Sequence, residues 1–239
     1  MKQSTRQLFN ASMERVNAQE RQAREQHFAY LISQGDNSDS FDAYMAKYAQ
    51  SARFGEPASA ASIAGLRPLS GPPLPQSLID FYLEAGAFYG GERLSALVIH
   101  SAPELLAKST SGENGWNQIL SIGLVDMIML SWGGDRREFD PATGAGLTKD
   151  EVQALNQNYS VIGWHDSDFG EAFDYLYFDR QGHFGIASWH QDDFDSFYSE
   201  QLLPMTRQSA AHMTLDEALI AMLKSAEAAA IEYEDEDDS

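Results

Sequence analysis

Apolar side chains recur along this chain at spacings that switch between helical and extended periods. Residues 1 to 34 are rich in Gln, Arg, Glu and Ala, all good helix formers. Their apolar positions are sparse: Leu8, Phe9, Met13 and Val16, then Phe28, Tyr30, Leu31 and Ile32. This pattern predicts a solvated helical arm whose ends touch the body. Gly35 to Ser40 is a turn cluster. Phe41, Tyr44, Met45 and Tyr48 then fall at i, i+3, i+4 and i+7, one apolar stripe on a short helix. Gly55 to Gly65 is rich in Ala and Ser and reads as a linker. Leu66 to Gly71 fits a short edge strand stopped by Pro72 and Pro73. Leu78, Phe81, Tyr82 and Ala85 share one helical face between Pro75 in the first turn and Gly86 at the end.

Leu94 to His100 reads as a strand. Trp116 to Trp132 fits either a helix or a buried strand; Val125, Ile128, Met129 and Trp132, with Gly133-Gly134 as a stop, favour helix. Ser160 to Trp164 is a further strand. Phe173 to Phe178 and His183 to Trp189 flank Asp179-Arg-Gln-Gly182, the clearest hairpin in the chain. Asp192 and Asp193 open a helix bearing Phe194, Phe197, Tyr198 and Leu202. Three capping boxes mark helix starts at Ser101/Glu104, Thr148/Glu151 and Thr214/Glu217. The last helix turns Leu215, Leu219, Met222, Leu223 and Ala226 inward, and Glu232 to Ser239 reads as a disordered acidic tail. The order of elements is that of an α+β protein. The expected organisation is a helical extension and linker at 1–64, a domain at 65–228 and the tail at 229–239.

Charge changes the picture more than composition does. The chain of 239 residues carries 36 Asp+Glu against 16 Lys+Arg, a net charge of −20. Such a surface repels nucleic-acid phosphates and anionic lipid, so neither is an expected partner. With no cysteine there is no disulfide, thiolate metal site or cysteine nucleophile. The N-terminus has no apolar signal-type core, and no run approaches the ~20 apolar residues that span a bilayer, so the expected location is the cytoplasm.

Motifs for catalysis are missing. The six histidines form no HExxH and no i, i+3 or i+4 pair. Asp166-x-Asp168 starts like a calcium loop, but Gly170 stands where the third oxygen ligand belongs. The glycine-rich stretches Gly133 to Arg137 and Gly144 to Gly146 lack GK[ST], and there is no GxSxG. No cofactor, metal or enzymatic activity is expected; a hydrolase built on His165, Asp166 and Asp168 is the third alternative. What stands out is Gly163 to Glu200, with nine acids against the single base Arg180 and aromatics interleaved. A negative field with aromatic anchors suits a basic protein partner: charge speeds encounter and buried rings slow departure. The candidate contacts are Asp166, Asp168, Glu171, Asp192, Asp193 and Asp195, with Trp164 and Trp189 as anchors.

Three segments are similar to the SMI1/KNR4 family of the SUKH superfamily. They are Leu74-Pro-Gln-Ser-Leu-Ile-Asp-Phe-Tyr-Leu-Glu-Ala-Gly86, then Tyr175-Leu-Tyr-Phe-Asp-Arg-Gln-Gly182 with His183 to Trp189, and the closing Thr214-Leu-Asp-Glu-Ala-Leu219. The resemblance spans about Leu66 to Ala226 and rests on order and spacing. It implies an α+β fold with a bent, mostly antiparallel sheet flanked by helices. It further implies an immunity protein that binds and neutralises a cognate bacterial toxin, often a nuclease; the mechanism expected here is stoichiometric occlusion of a basic surface on that toxin. An intracellular interaction or scaffold protein is the alternative, as fungal members are. The family supplies no catalytic residue, and its implied partner, a basic toxin, agrees with the charge.

Overall fold

Local rules set the element starts. In the computed structural model, which describes residues 1–35, 39–47, 52–66, 71–110, 112–113, 117–118, 122–132, 147–168 and 170–237, all three expected capping boxes form. Ser101, Thr148 and Thr214 each accept from the backbone N–H three residues on, and Glu104, Glu151 and Glu217 each accept from the cap's own N–H at 2.7–2.8 Å.

The helices are α1 (Gln3–Ser33), α2 (Phe41–Lys47), α3 (Ala60–Gly65), α4 (Gln76–Ala85), α5 (Ala102–Thr110), α6 (Leu124–Trp132) and α7 (Lys149–Asn158). After the hairpin come α8 (Phe194–Ser196), a π-helical stretch (Phe197–Leu202), α9 (Leu203–Met205) and α10 (Leu215–Asp237). The strands are β1 (Arg53–Phe54), β2 (Phe88–Tyr89), β3 (Val98–Ile99), β4 (Gly112–Glu113), β5 (Asn117–Gln118), β6 (Tyr159–Asp168), β7 (Ala172–Asp179) and β8 (Phe184–His190). Six of them form one antiparallel sheet in the order β1-β2-β3-β6-β7-β8, and β4 pairs with β5 alone. The fold is α+β, as the order of elements predicts.

The helix reading of Trp116 to Trp132 holds only from Leu124 onward, since Asn117–Gln118 is strand β5, and the proposed Gly133-Gly134 stop lies outside the described residues. The hairpin forms with Gly182 at φ 80°, the left-handed turn position expected of it. Pro75 is the N-cap of α4, one residue before the expected place, and Gly86 at φ 67° ends that helix where a side chain would meet the backbone of Glu56. The strand expected at Leu94 to His100 is shorter: Glu92–Leu94 is a 3-10 turn and pairing begins at Val98. The edge strand read at Leu66 to Gly71 falls largely outside the described residues. One observed edge is β1, inside the stretch 1–64 read as helical extension and linker.

Three expectations about the chain's ends change. First, α1 is not simply a solvated arm. Thr5, Phe9, Ser12 and Val16 are buried, and Phe9 meets Phe88 edge-on at 4.7 Å. Second, the stretch read as a linker contains α3, capped by Ser59, with Ile63 buried. Phe9, Val16, Ala52 and Ile63 belong to the same core as Leu78, Ile99, Tyr175 and Leu219, so position 64/65 does not separate two cores. Third, the tail is not disordered as far as Asp237, because α10 runs to that residue.

Helix α10 ties the halves together. Ser225 Oγ donates to Asp174 of β7, and Ser95 Oγ donates to the Ala226 carbonyl. On its other side Glu227 accepts from Ser12 at 2.7 Å and Arg15 at 2.6 Å on α1. No helix among the described residues is long and apolar enough to cross a membrane.

Candidate acidic interface at one end of the sheet

Strands β6 and β8 end at the same end of the sheet, on either side of the start of β7. β6 continues past the expected Trp164 to Asp168, so His165, Asp166 and Asp168 lie on a strand and its turn, not in a free loop. Asp166 Oδ1 accepts from the N–H groups of Asp168 at 3.1 Å and Gly170 at 2.8 Å, which shapes the β6–β7 turn. The Gln191 N–H donates to the Glu171 carbonyl at 2.8 Å, clamping the exit of β8 to that turn. One rim therefore carries Asp168 and Glu171 from the turn and Asp192, Asp193 and Asp195 from the segment after β8. All five are exposed. Among the described residues none pairs with Lys or Arg; Asp168 faces His190 Nε2 at 3.5 Å.

Two other acids of this stretch, Asp174 and Asp179, serve the fold. Asp174 Oδ2 faces His165 Nε2 at 3.0 Å and accepts from Ser225 Oγ at 2.9 Å. Burial works to raise its carboxyl, but the bonds from His165, Ser188 and Ser225 overcome this and hold it below the ordinary carboxylate value. Asp179, 2% exposed, accepts from the N–H groups of Gln181 and His183 and from Ser209 Oγ.

The aromatic anchors divide. Trp189 is 1% exposed and stacks on Phe173 at 6.3 Å, so it is a core residue and cannot project into a partner. Trp164 is half-buried, edge-on to His100 at 4.3 Å. Alternation along β8 explains this: Ala187 and Trp189 turn to a buried face, while Ile186, Ser188 and His190 on the other face are more exposed. Phe173, which sequence reasoning did not single out, is half-buried beside Trp189. Glu200 was also left out; it lines a 220 Å3 cavity with Trp189, His190, Asp193 and Gln201.

The arrangement does not gather a hydrolytic centre from His165, Asp166 and Asp168. His165 is wholly buried between Asp174 and the Asp166 carbonyl, Asp166 holds the turn, and Asp168 faces solvent. Ligand atoms of Asp168, Glu171 and His190 do lie within 4.8 Å of one another. His190 Nδ1 accepts the Asp192 N–H at 3.1 Å, which leaves Nε2, 3.5 Å from Asp168, as the ring atom turned to the carboxylates.

Searches against family models, curated proteins and solved structures give no match to this chain.

Proposed function

We propose that this protein acts in the cytoplasm by binding: it neutralises a basic protein toxin by occupying the toxin's cationic surface one-to-one, as an immunity protein of the SMI1/KNR4 type. The carrying observation is the rim of Asp168, Glu171, Asp192, Asp193 and Asp195, exposed and without Lys or Arg partners among the described residues. Like charges held together repel one another and cost the fold stability, a cost recovered when a cationic surface arrives. Nothing in the proposal turns over a substrate. The half-buried rings of Trp164 and Phe173 supply apolar area on the same strands.

The test is purification of the chain with the product of the adjacent gene. A one-to-one complex that abolishes the toxicity of that product supports the proposal. A toxic product that stays active in the presence of excess chain contradicts it.

A further inference from the structure

Strand β8 is an edge, and edges present backbone groups for pairing. In its antiparallel register with β7, Gly185, Ala187 and Trp189 turn their N–H and C=O groups toward β7, while Phe184, Ile186 and Ser188 turn theirs outward. The outward groups of Phe184 are taken: its N–H donates to the Met213 carbonyl at 2.8 Å and its carbonyl accepts from the Met213 N–H at 3.0 Å. Those of Ser188 are taken by a side chain: its N–H donates to Gln201 Oε1 at 3.2 Å and its carbonyl accepts from Gln201 Nε2 at 2.7 Å. A carboxamide thus reproduces both bonds of a strand neighbour. Ile186, between these two rungs, has no partner for either outward group among the described residues.

Two cavities open along this edge. One of about 560 Å3 is lined by Tyr177, Ile186, Leu203, Met205 and Gln201, with an exposed rim at Gln208 to Ala210. The 220 Å3 cavity beside Ser188, His190 and Asp193 shares Glu200 and Gln201 with it. Gln201 stands between an apolar compartment and the acidic end of the sheet.

We propose that this groove binds an extended peptide segment of the protein's partner, which adds a strand to β8. One residue of the segment pairs with the N–H and C=O of Ile186. Its neighbours place apolar side chains against Leu203 and Met205, and the chain displaces the Gln201 carboxamide from Ser188. It then runs past His190, where Glu200 and Asp193 select basic residues. Backbone pairing gives the affinity and the alternating side chains give the choice of sequence. Met213 closes the other end, which fixes how far the added strand extends. The preference for basic residues rests on the acidic rim being a docking face; the backbone pairing does not.

The test uses the full 15N-labelled chain and two probes of opposite direction, acetyl-Val-Ala-Val-Lys-Lys-amide and acetyl-Lys-Lys-Val-Ala-Val-amide. At least one is expected to shift the amide resonances of Ile186 and Ser188. N-methylation at the N–H that donates to the Ile186 carbonyl, the alanine in the antiparallel probe acetyl-Lys-Lys-Val-Ala-Val-amide or the valine after it in the parallel one, should weaken binding at least tenfold, and Gln201→Ala, which removes the stand-in, should tighten it about threefold or more. Ala210→Trp, on the exposed rim of the groove, should block binding without lowering Tm. The inference is overturned if neither probe moves Ile186 and Ser188, or if the N-methylated peptide binds as well as its parent. Replacing the two lysines by glutamates separates the two ideas: unchanged affinity would sink the docking role of the rim while leaving the added strand in place.

Discussion

The two ends of the β6–β7–β8 sheet hold the same residue type for opposite purposes. At the β7–β8 turn, Asp179 is buried and saturated by Gln181, His183 and Ser209. At the β6–β7 turn and the exit of β8, Asp168, Glu171, Asp192, Asp193 and Asp195 face solvent without cationic partners among the described residues. Burial with hydrogen bonds makes an aspartate part of the fold; exposure in a crowd of like charges leaves it available to a partner. Local acid density alone cannot tell these apart.

The largest effect should follow from breaking the saturated end. Asp179→Ala strips the acceptor from two backbone N–H groups and one hydroxyl, and should lower unfolding free energy by about 2–4 kcal/mol, read by urea denaturation. A loss below about 0.5 kcal/mol would place Asp179 with the rim acids.

Asp174 sharpens the comparison through pH. Its carboxyl is held below the ordinary value, so its contribution is fully present above the unfolded carboxylate range near ~3.9 and is lost as pH falls through the folded value. The Tm gap between the wild type and Asp174→Asn should be widest near neutrality and should narrow in thermal melts taken below about pH 4. A gap that widens on acidification would reverse the sign argued here.

How far the sequence discloses this depends on the separation of the partners. The capping boxes and the hairpin were legible because each is closed within a few residues, as Thr148 and Glu151 show. Asp174 and Asp179 could not be sorted from the rim acids, since Ser225 and Ser209 lie 51 and 30 residues away in the chain. Trp189 was misread as an anchor for a related reason: only pairing with β7 shows which face it takes. The buried stripe of α1 was missed because two of its four members, Thr5 and Ser12, are small polar residues that an apolar count passes over. The open rung at Ile186 has no sequence signature, because it depends on where Gln201 and Met213 return to the edge.

The smallest effect should come from the chain's end. Glu232 to Asp237 place acids on the last turns of α10, where they oppose the helix dipole. Truncation after Ile231 should therefore change stability by less than about 0.5 kcal/mol in chemical denaturation, with no loss of Tm. A marked loss would show that these turns pack against the body.

The account turns on the rim acids being spare for the fold and needed for docking. The most direct measurement is the association rate of the chain with the adjacent gene's product, by stopped flow at low and high salt, for the wild type and for Asp192→Lys/Asp193→Lys/Asp195→Lys. The account predicts a variant with unchanged or higher Tm that associates at least about tenfold more slowly at low salt, the difference shrinking as salt screens the field. A rate that the triple reversal leaves unmoved at every salt concentration would contradict it.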